Sequence, residues 1–383
     1  MSASTLALRA VGVDATGEGA AWEGKALLVL TLLLVTFGLL AVYSASAFLA
    51  QAKGLPDSYY LVSQATRAAV GLFILWLASL VDYRVYRRLA WPLLLATAVL
   101  LIALLLPLSE SIAPRVNGAR RWLNLGVVFQ PSELAKLAVI VWTAALAVRK
   151  QDRLRSLRYG LVPFLIILVP ICLLILAEPH FSAAALTAAI AATLIFCAGG
   201  RIGHFIFLGL VSLPVLWDQV MNTGYRTNRV LAFLNPAATA SDIGYQLRQS
   251  LIAVGSGGAF GVGFGESRQK LNYLPEPHND FIFSIISEEW GFVGAALLIV
   301  LFSAWALIGL RIADTAPDLF GRLVAIGITM LIAVAAFAHI GVAIGLLPTT
   351  GVNLPFMSAG GTNLVLALVA TGILLNIAKQ RRC

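Results

Sequence analysis

A carboxylate at the start of a helix can take a proton from a hydroxyl, cap the helix, or answer a cation. Asp280 is such a residue. It follows Leu274-Pro275-Glu276-Pro277-His278-Asn279 and precedes the apolar run that begins Phe281-Ile282-Phe283-Ser284. The two prolines keep the approach extended. Helical spacing sets Asp280, Ser284 and Glu288 on one face, which must look into a cavity or onto another helix. A second polar group is Gln130-Pro131-Ser132-Glu133, with Lys136 three residues after Glu133 and on the same face. That spacing fits a self-compensating ion pair inside a bundle, and equally a polar wall that meets a charged headgroup. Just upstream, Asn117-Gly118-Ala119 leads into Arg120-Arg121-Trp122. Paired arginines beside a tryptophan can anchor at an interface. Their guanidinium forks also match the oxygens of a diphosphate. Near the end, Ser358-Ala359-Gly360-Gly361-Thr362-Asn363 gives interrupted backbone, either a packed re-entrant turn or a cavity wall with free N–H donors.

The elements that must hold these residues are apolar helices. Of 383 residues, 60% are hydrophobic and only 12% are charged, and the mean hydropathy is +0.89. A soluble domain carries about 25% charged residues. The composition therefore excludes disordered, collagen-like and disulfide-scaffold classes and points to an all-α polytopic membrane protein. About ten runs reach the roughly 20 apolar residues that a crossing needs. They lie near 26–50, 61–81, 89–108, 127–148, 160–177, 182–199, 202–220, 281–310, 321–346 and 356–378. Glu178-Pro179-His180 divides the fifth from the sixth. Ten crossings put both termini on one side. That side collects the larger share of the 27 Lys and Arg, which makes it cytoplasmic by the positive-inside rule.

The expected organisation is a cytoplasmic tail over 1–24, a transmembrane domain over 25–378 and a cytoplasmic tail over 379–383. No cleavable leader is expected. The net charge of +9 is read as orientation rather than as affinity for nucleic acid. Between the seventh and eighth helices runs a long extracytoplasmic loop, 221–280. Arg226, Arg229, Arg248, Arg268 and Lys270 lie in it, and Arg115, Arg120 and Arg121 lie in another outer loop. A loop that long is usually functional. Its run of Gly255, Gly257, Gly258, Gly261, Gly263 and Gly265 can form tight turns or bring backbone close to a ligand. It is neither a P-loop nor a dinucleotide fingerprint. Cys172, Cys197 and Cys383 read as free thiols, and no His/Cys metal spacing occurs. A divalent cation (Mg or Mn) held by carboxylate and diphosphate oxygens stays open.

Taken in order, these blocks resemble the FtsW/RodA/SpoVE family, the SEDS proteins. The resemblance rests on Tyr43-Ser44-Ala45-Ser46, Asn117 to Trp122, Gln130-Pro131-Ser132-Glu133 with Lys136, Pro275 to Phe283, Glu288-Glu289-Trp290-Gly291 and Ser358-Ala359-Gly360-Gly361-Thr362. Within the family the chain looks more like the division branch than the elongation branch. Glu266-Ser267-Arg268-Gln269-Lys270-Leu271 adds to that likeness. It departs from the family pattern at His180, Ser182, Asn279, His339 and Asn363.

The resemblance implies a peptidoglycan glycosyltransferase that polymerises lipid II outside the bacterial plasma membrane, at the division septum. It implies a class B penicillin-binding protein (an FtsI-like transpeptidase) and other divisome membrane proteins as partners. The substrates would be lipid II and the nascent glycan strand, with no organic cofactor and no nucleic acid. Asp280 matches the family's catalytic carboxylate, and Glu133 and Lys136 match polar residues of its central cavity. Arg120, Arg121, Trp122, Gln130, Ser132, Ser358, Gly360 and Gly361 complete the expected substrate-binding set. With that substrate, Asp280 takes the role of general base and the outer arginines steady the departing diphosphate. A lipid II flippase, an elongation-type polymerase and a scaffold for division proteins are the competing readings.

Overall fold

The computed structural model describes residues 22–106, 112–114, 120–124, 126, 128–221, 224–235 and 242–380. Arg115, Asn117, Gly118, Ala119, residues 1–21 of the expected N-terminal tail and 381–383 of the C-terminal one, Cys383 included, lie outside the described residues.

Twelve α-helices occur among the described residues: α1 (Trp22–Ala52), α2 (Tyr59–Leu80), α3 (Tyr83–Leu105), α4 (Pro131–Arg149), α5 (Val162–Ala177), α6 (Phe181–Cys197), α7 (Ile202–Met221), α8 (Gly224–Leu234), α9 (Asp242–Ser256), α10 (Ile282–Asp314), α11 (Leu319–Ala343) and α12 (Gly361–Lys379). Eight helical segments are long and apolar enough to cross a membrane: α1 to α4, α5 with the π-turn before it (Leu157–Leu161), and α10 to α12. The shorter apolar stretches Phe181–Cys197 (α6) and Ile202–Pro214 (the first part of α7) coincide in sequence with the two remaining expected runs. The protein is thus an all-α polytopic bundle, as its composition requires.

Burial separates an inner layer from an outer one. In α4, 78% of the apolar window is buried, and in α11 and α12 67%, against 28% in α2, α3 and α10. Helix α4 runs through the middle, packed on α3, α6 and α11. Such a helix needs no amphipathic stripe, because it is enclosed on every side. A charge in the enclosed first turns of α4 therefore cannot reach lipid headgroups by snorkelling and must be paired within the bundle. Trp142 sits at its core between Trp91 and Phe164, with ring centroids 5.8 and 6.0 Å away.

Two expected boundaries move. The fourth run begins not at 127 but at Pro131, which takes the first helical turn, while Val128–Phe129 pairs antiparallel with Leu123–Asn124. The last run begins at Gly361, because 352–360 forms an irregular turn before the helix.

The long loop is more structured than its polarity suggests. It contains α8 and α9, and α9 packs on α10 and α11. Its glycine-rich stretch docks on a break in α10. Gly291 has φ 65° and ψ −163°, which interrupts the helix. The released backbone is satisfied by the loop. Val262 and Gly263 N–H donate to the Glu288 and Glu289 carbonyls, and Phe292 and Val293 N–H donate to the Gly258 and Ala259 carbonyls. A Cβ at Gly261 or Gly291 would collide with that facing backbone. The glycines thus permit a close approach of chain to chain.

Candidate functional site

Asp280 lies two residues before α10, and it does not cap the helix. The capping position belongs to Phe281, with no side-chain cap bond. No donor among the described residues bonds the Asp280 carboxyl. Its backbone is held instead, with its N–H donating to the Glu276 carbonyl at 3.2 Å. Burial raises its pKa above the ordinary carboxylate value, and the charge of Glu276 raises it further. Arg229 and Arg121 work against both, and the result is about 6. A carboxyl that is half-buried, free of hydrogen bonds among the described residues and half-ionised near pH 6 suits proton abstraction better than capping.

The segment before Asp280 is clamped by the turn that precedes α12. Ser358 Oγ donates to the Asn279 carbonyl at 2.8 Å and accepts from Leu354 N–H at 2.9 Å. Ala359 N–H donates to the His278 carbonyl, and Gln64 Nε2 donates to the Ser358 carbonyl, both at 3.0 Å. The His278 ring lies against Tyr60 at 5.2 Å. Ser358 is buried, and its hydroxyl both donates to and accepts from backbone, so it holds the segment that carries Asp280.

Below the clamp lies the charged pair of α4. Lys136 Nζ donates to Glu133 Oε1 at 2.7 Å, and Asn363 Nδ2 to Glu133 Oε2 at 2.9 Å. Both side chains are buried. The ion pair expected from spacing is formed, and with Asn363, Pro355 and Leu331 it lines a cavity of about 20 Å³, room for roughly one water. His180 joins the same group from the start of α6. Its Nδ1 lies 3.2 Å from Ser132 Oγ and 3.4 Å from Gln130 Nε2. Burial, aided by Arg121, lowers the His180 pKa to about 4, so it is neutral at pH 7. Gln130 N–H donates to Thr362 Oγ1 at 3.1 Å, tying α4 to the N-terminus of α12. Gly360 and Gly361 open that terminus, where first-turn N–H groups lack helical partners.

Arg121 donates to the carbonyls of Glu178 and Pro179, at 3.2 and 2.6 Å. Arg120 donates to the Leu106 carbonyl at 3.2 Å. Trp122 is half-buried beside them. Glu178 is buried with no hydrogen bond to either carboxyl oxygen, and its pKa is pushed up to about 8 by burial, against the pull of Arg121.

The structure thus brings Gln130, Ser132, Glu133 and Lys136 into one cluster, and Ser358 and Asp280 into another. Arg121 acts on Asp280 through its field. Ser284 and Glu288 turn to other elements instead. Ser284 bonds Ser250 of α9 at 2.6 Å, and Glu288 accepts from Ser267 and from the N–H groups of Arg268 and Gln269. Next to it, Glu289 pairs with Lys270 at 3.0 Å. These carboxylates fasten the loop and take no part around Asp280.

Sequence reading gave no site role to Glu276, His180 or Asn363, and counted Arg229 only among the outer cations of the long loop. Arg229, on α8, sets the field at Asp280 and donates to the Thr349 carbonyl at 2.9 Å. Its basic charge in a long loop was a visible signal, but its direction was not.

Comparisons with known proteins agree with this architecture. The family profile described as "Cell cycle protein", FtsW/RodA/SpoVE, matches residues 25–383. The chain is 42% identical to stage V sporulation protein E of Bacillus subtilis over 93% of its own length and 97% of that protein's. It is 40% identical to the probable peptidoglycan glycosyltransferase FtsW of Geobacter sulfurreducens, over 92% and 94%. Among solved structures, a chain of a peptidoglycan synthase complex that coordinates polymerization and crosslinking superposes with a TM-score of 0.77 at 28% identity, over 93% and 97%. RodA of Thermus thermophilus superposes at 0.68 and 27%, with the same coverage.

Proposed function

Because the chain belongs to the FtsW/RodA/SpoVE family and is a peptidoglycan glycosyltransferase of the membrane, we propose that it polymerises lipid II for septal wall synthesis with Asp280 as general base. The observation that carries the reading is the state of the Asp280 carboxyl: half-buried, without a hydrogen bond among the described residues, held by its backbone and titrating near 6. An acceptor sugar hydroxyl is a poor nucleophile at neutral pH. A carboxylate in place to receive its proton supplies about 10²- to 10⁴-fold. The oxygen then attacks the anomeric carbon of the donor sugar while the bond to the lipid diphosphate breaks. One displacement inverts that carbon and needs no second carboxylate nucleophile. Arg121 and Arg229 supply positive field where the diphosphate departs.

Glu133 and Lys136, joined by Asn363, form a neutral polar floor that a headgroup meets without an uncompensated charge. The apolar helices around it leave the polyprenyl tail in the bilayer. The described residues hold no group of three or more His, Cys, Asp or Glu able to ligate a metal. A Mg or Mn ion would accordingly take most of its oxygens from the diphosphate and water, with Asp280 and Glu276 as the nearby carboxylates. The proposed layout sets 221–280 outside the membrane and residues 1–24 and 379–383 in the cytoplasm.

The division role draws support from relatives named FtsW at about 40% identity. The structural neighbour in a peptidoglycan synthase complex supports a class B penicillin-binding protein as partner. The test is polymerisation of lipid II by purified protein with that partner, followed by gel analysis of glycan strands. Wild type yields strands and Asp280→Ala yields none while remaining folded. Strands from Asp280→Ala at the wild-type rate refute the base, and translocation of lipid II without strands supports the flippase.

A further inference from the structure

We propose that the end of the bundle opposite Asp280 carries a binding site for the headgroup of an anionic phospholipid, where the α4–α5 turn meets the start of α7. Helices α4 and α6 both begin beside the Asp280 end, where Ser132 meets His180. Their far ends therefore deliver residues 150–161 and Arg201 to the other end. There an open cavity of about 780 Å³ is lined by Asp152, Arg153, Arg155, Ser156, Tyr159 and Arg201. Three guanidinium groups face one carboxylate. None of the three arginines forms an ion pair among the described residues.

The turn that presents them is built rather than slack. Leu154 is only 2% exposed, anchored in the core between Arg153 and Arg155. Ser156 N–H donates to the Arg153 carbonyl at 2.9 Å, and Gly160 N–H to the Ser156 carbonyl at 2.9 Å. A Cβ at Gly160 would strike the Arg153 carbonyl and the Leu154 backbone, so the turn is seated directly on the chain that follows. That following segment, Leu157–Leu161, is a π-turn, a form enriched at functional sites.

Membrane orientation needs cations on this side, but it does not need them to converge on one cavity from two separate turns. Convergent arginines that outnumber the one carboxylate beside them and form no ion pair among the described residues fit a phosphate. Its source is set by what flanks the cavity. Leu157, Tyr159 and Ile202 are 43%, 54% and 64% exposed. Tyr159 is itself part of the lining, and Leu157 and Ile202 adjoin it at the ends of apolar helices, where acyl chains lie in a bilayer. A lipid satisfies both halves, the phosphate on the arginines and the chains on the aliphatic rim. A soluble phosphate satisfies only the first.

The experiment uses the full chain in neutral detergent micelles doped with phosphatidylglycerol or phosphatidylcholine, with bound lipid counted by native mass spectrometry. Arg155→Gln/Arg201→Gln removes one cation from each turn. Arg87→Gln/Arg88→Gln removes the same charge from the exposed α2–α3 end of the same side. Wild type is expected to retain phosphatidylglycerol over phosphatidylcholine. At about fivefold per arginine, the first variant weakens retention about 25-fold. The second changes it less than threefold. Equal retention of the two lipids, or equal loss in both variants, overturns the site. Displacement of the lipid by glycerol phosphate at matched concentration overturns the lipid as its ligand in favour of a soluble phosphate.

Discussion

Replacing Asp280 by Asn should make the protein more stable at alkaline pH while removing its proposed base. Burial raises the Asp280 pKa from 3.8 to about 6. The folded state therefore holds the proton more tightly than the unfolded chain does. The sign follows: the group's favourable contribution is complete below about pH 4 and is lost as pH rises through about 6. Above that, the folded protein carries an ionised carboxylate in a poor medium. A shift of about 2 pH units corresponds to about 3 kcal/mol at pH 8, falling to about 0.5 kcal/mol at pH 4. An Asn of nearly the same shape is not ionised. Asp280→Asn is thus expected to unfold later than wild type by up to about 3 kcal/mol at pH 8, a rise of a few degrees, and to converge with it near pH 4. Thermal unfolding in neutral detergent, followed by intrinsic tryptophan fluorescence at both pH values, measures this directly. A variant that is equally or less stable at pH 8, or a difference that does not shrink at pH 4, refutes the desolvated, uncommitted carboxylate.

Other substitutions have expected outcomes of their own. Glu133→Gln or Lys136→Met alone leaves one buried charge without its partner and should cost about 3–5 kcal/mol, whereas the double variant should recover most of that loss in the same unfolding assay. Ser358→Ala breaks the bonds to the Asn279 carbonyl and Leu354 N–H, costs about 1–3 kcal/mol and lowers polymerisation by letting the Asp280 segment shift. Arg229→Gln removes a charge that holds the Asp280 pKa down, so the pH midpoint of activity should move upward.

The sequence made the local part of this structure legible. Ten apolar runs were long enough to count, and Glu133 with Lys136 was readable as a pair because three residues return the helix to the same face. Tertiary partners were not legible. Nothing in the spacing announced that Asn363 would bond Glu133, that His180 would turn to Ser132, or that Ser358 would hold the Asn279 carbonyl. Those bonds join segments hundreds or tens of residues apart. The choice between capping and chemistry at Asp280 was open for a related reason. A cap is decided by backbone angles at one residue, and here Phe281 takes that position. The loop helices α8 and α9 were hidden by polar composition. The glycine run could be seen, but its role depended on the break at Gly291 in a helix well downstream.

The central claim is that Asp280, once ionised, receives the proton of the attacking hydroxyl. The measurement that meets it most directly is the initial rate of lipid II polymerisation against pH, for wild type and Asp280→Asn in the same membranes with the same transpeptidase partner. Wild type should rise about tenfold per pH unit below a midpoint near 6 and then level, and Asp280→Asn should be slower by about 10²-fold or more with no such limb. A wild-type rate equal at pH 5 and pH 8, or an Asp280→Asn rate matching wild type, contradicts the account.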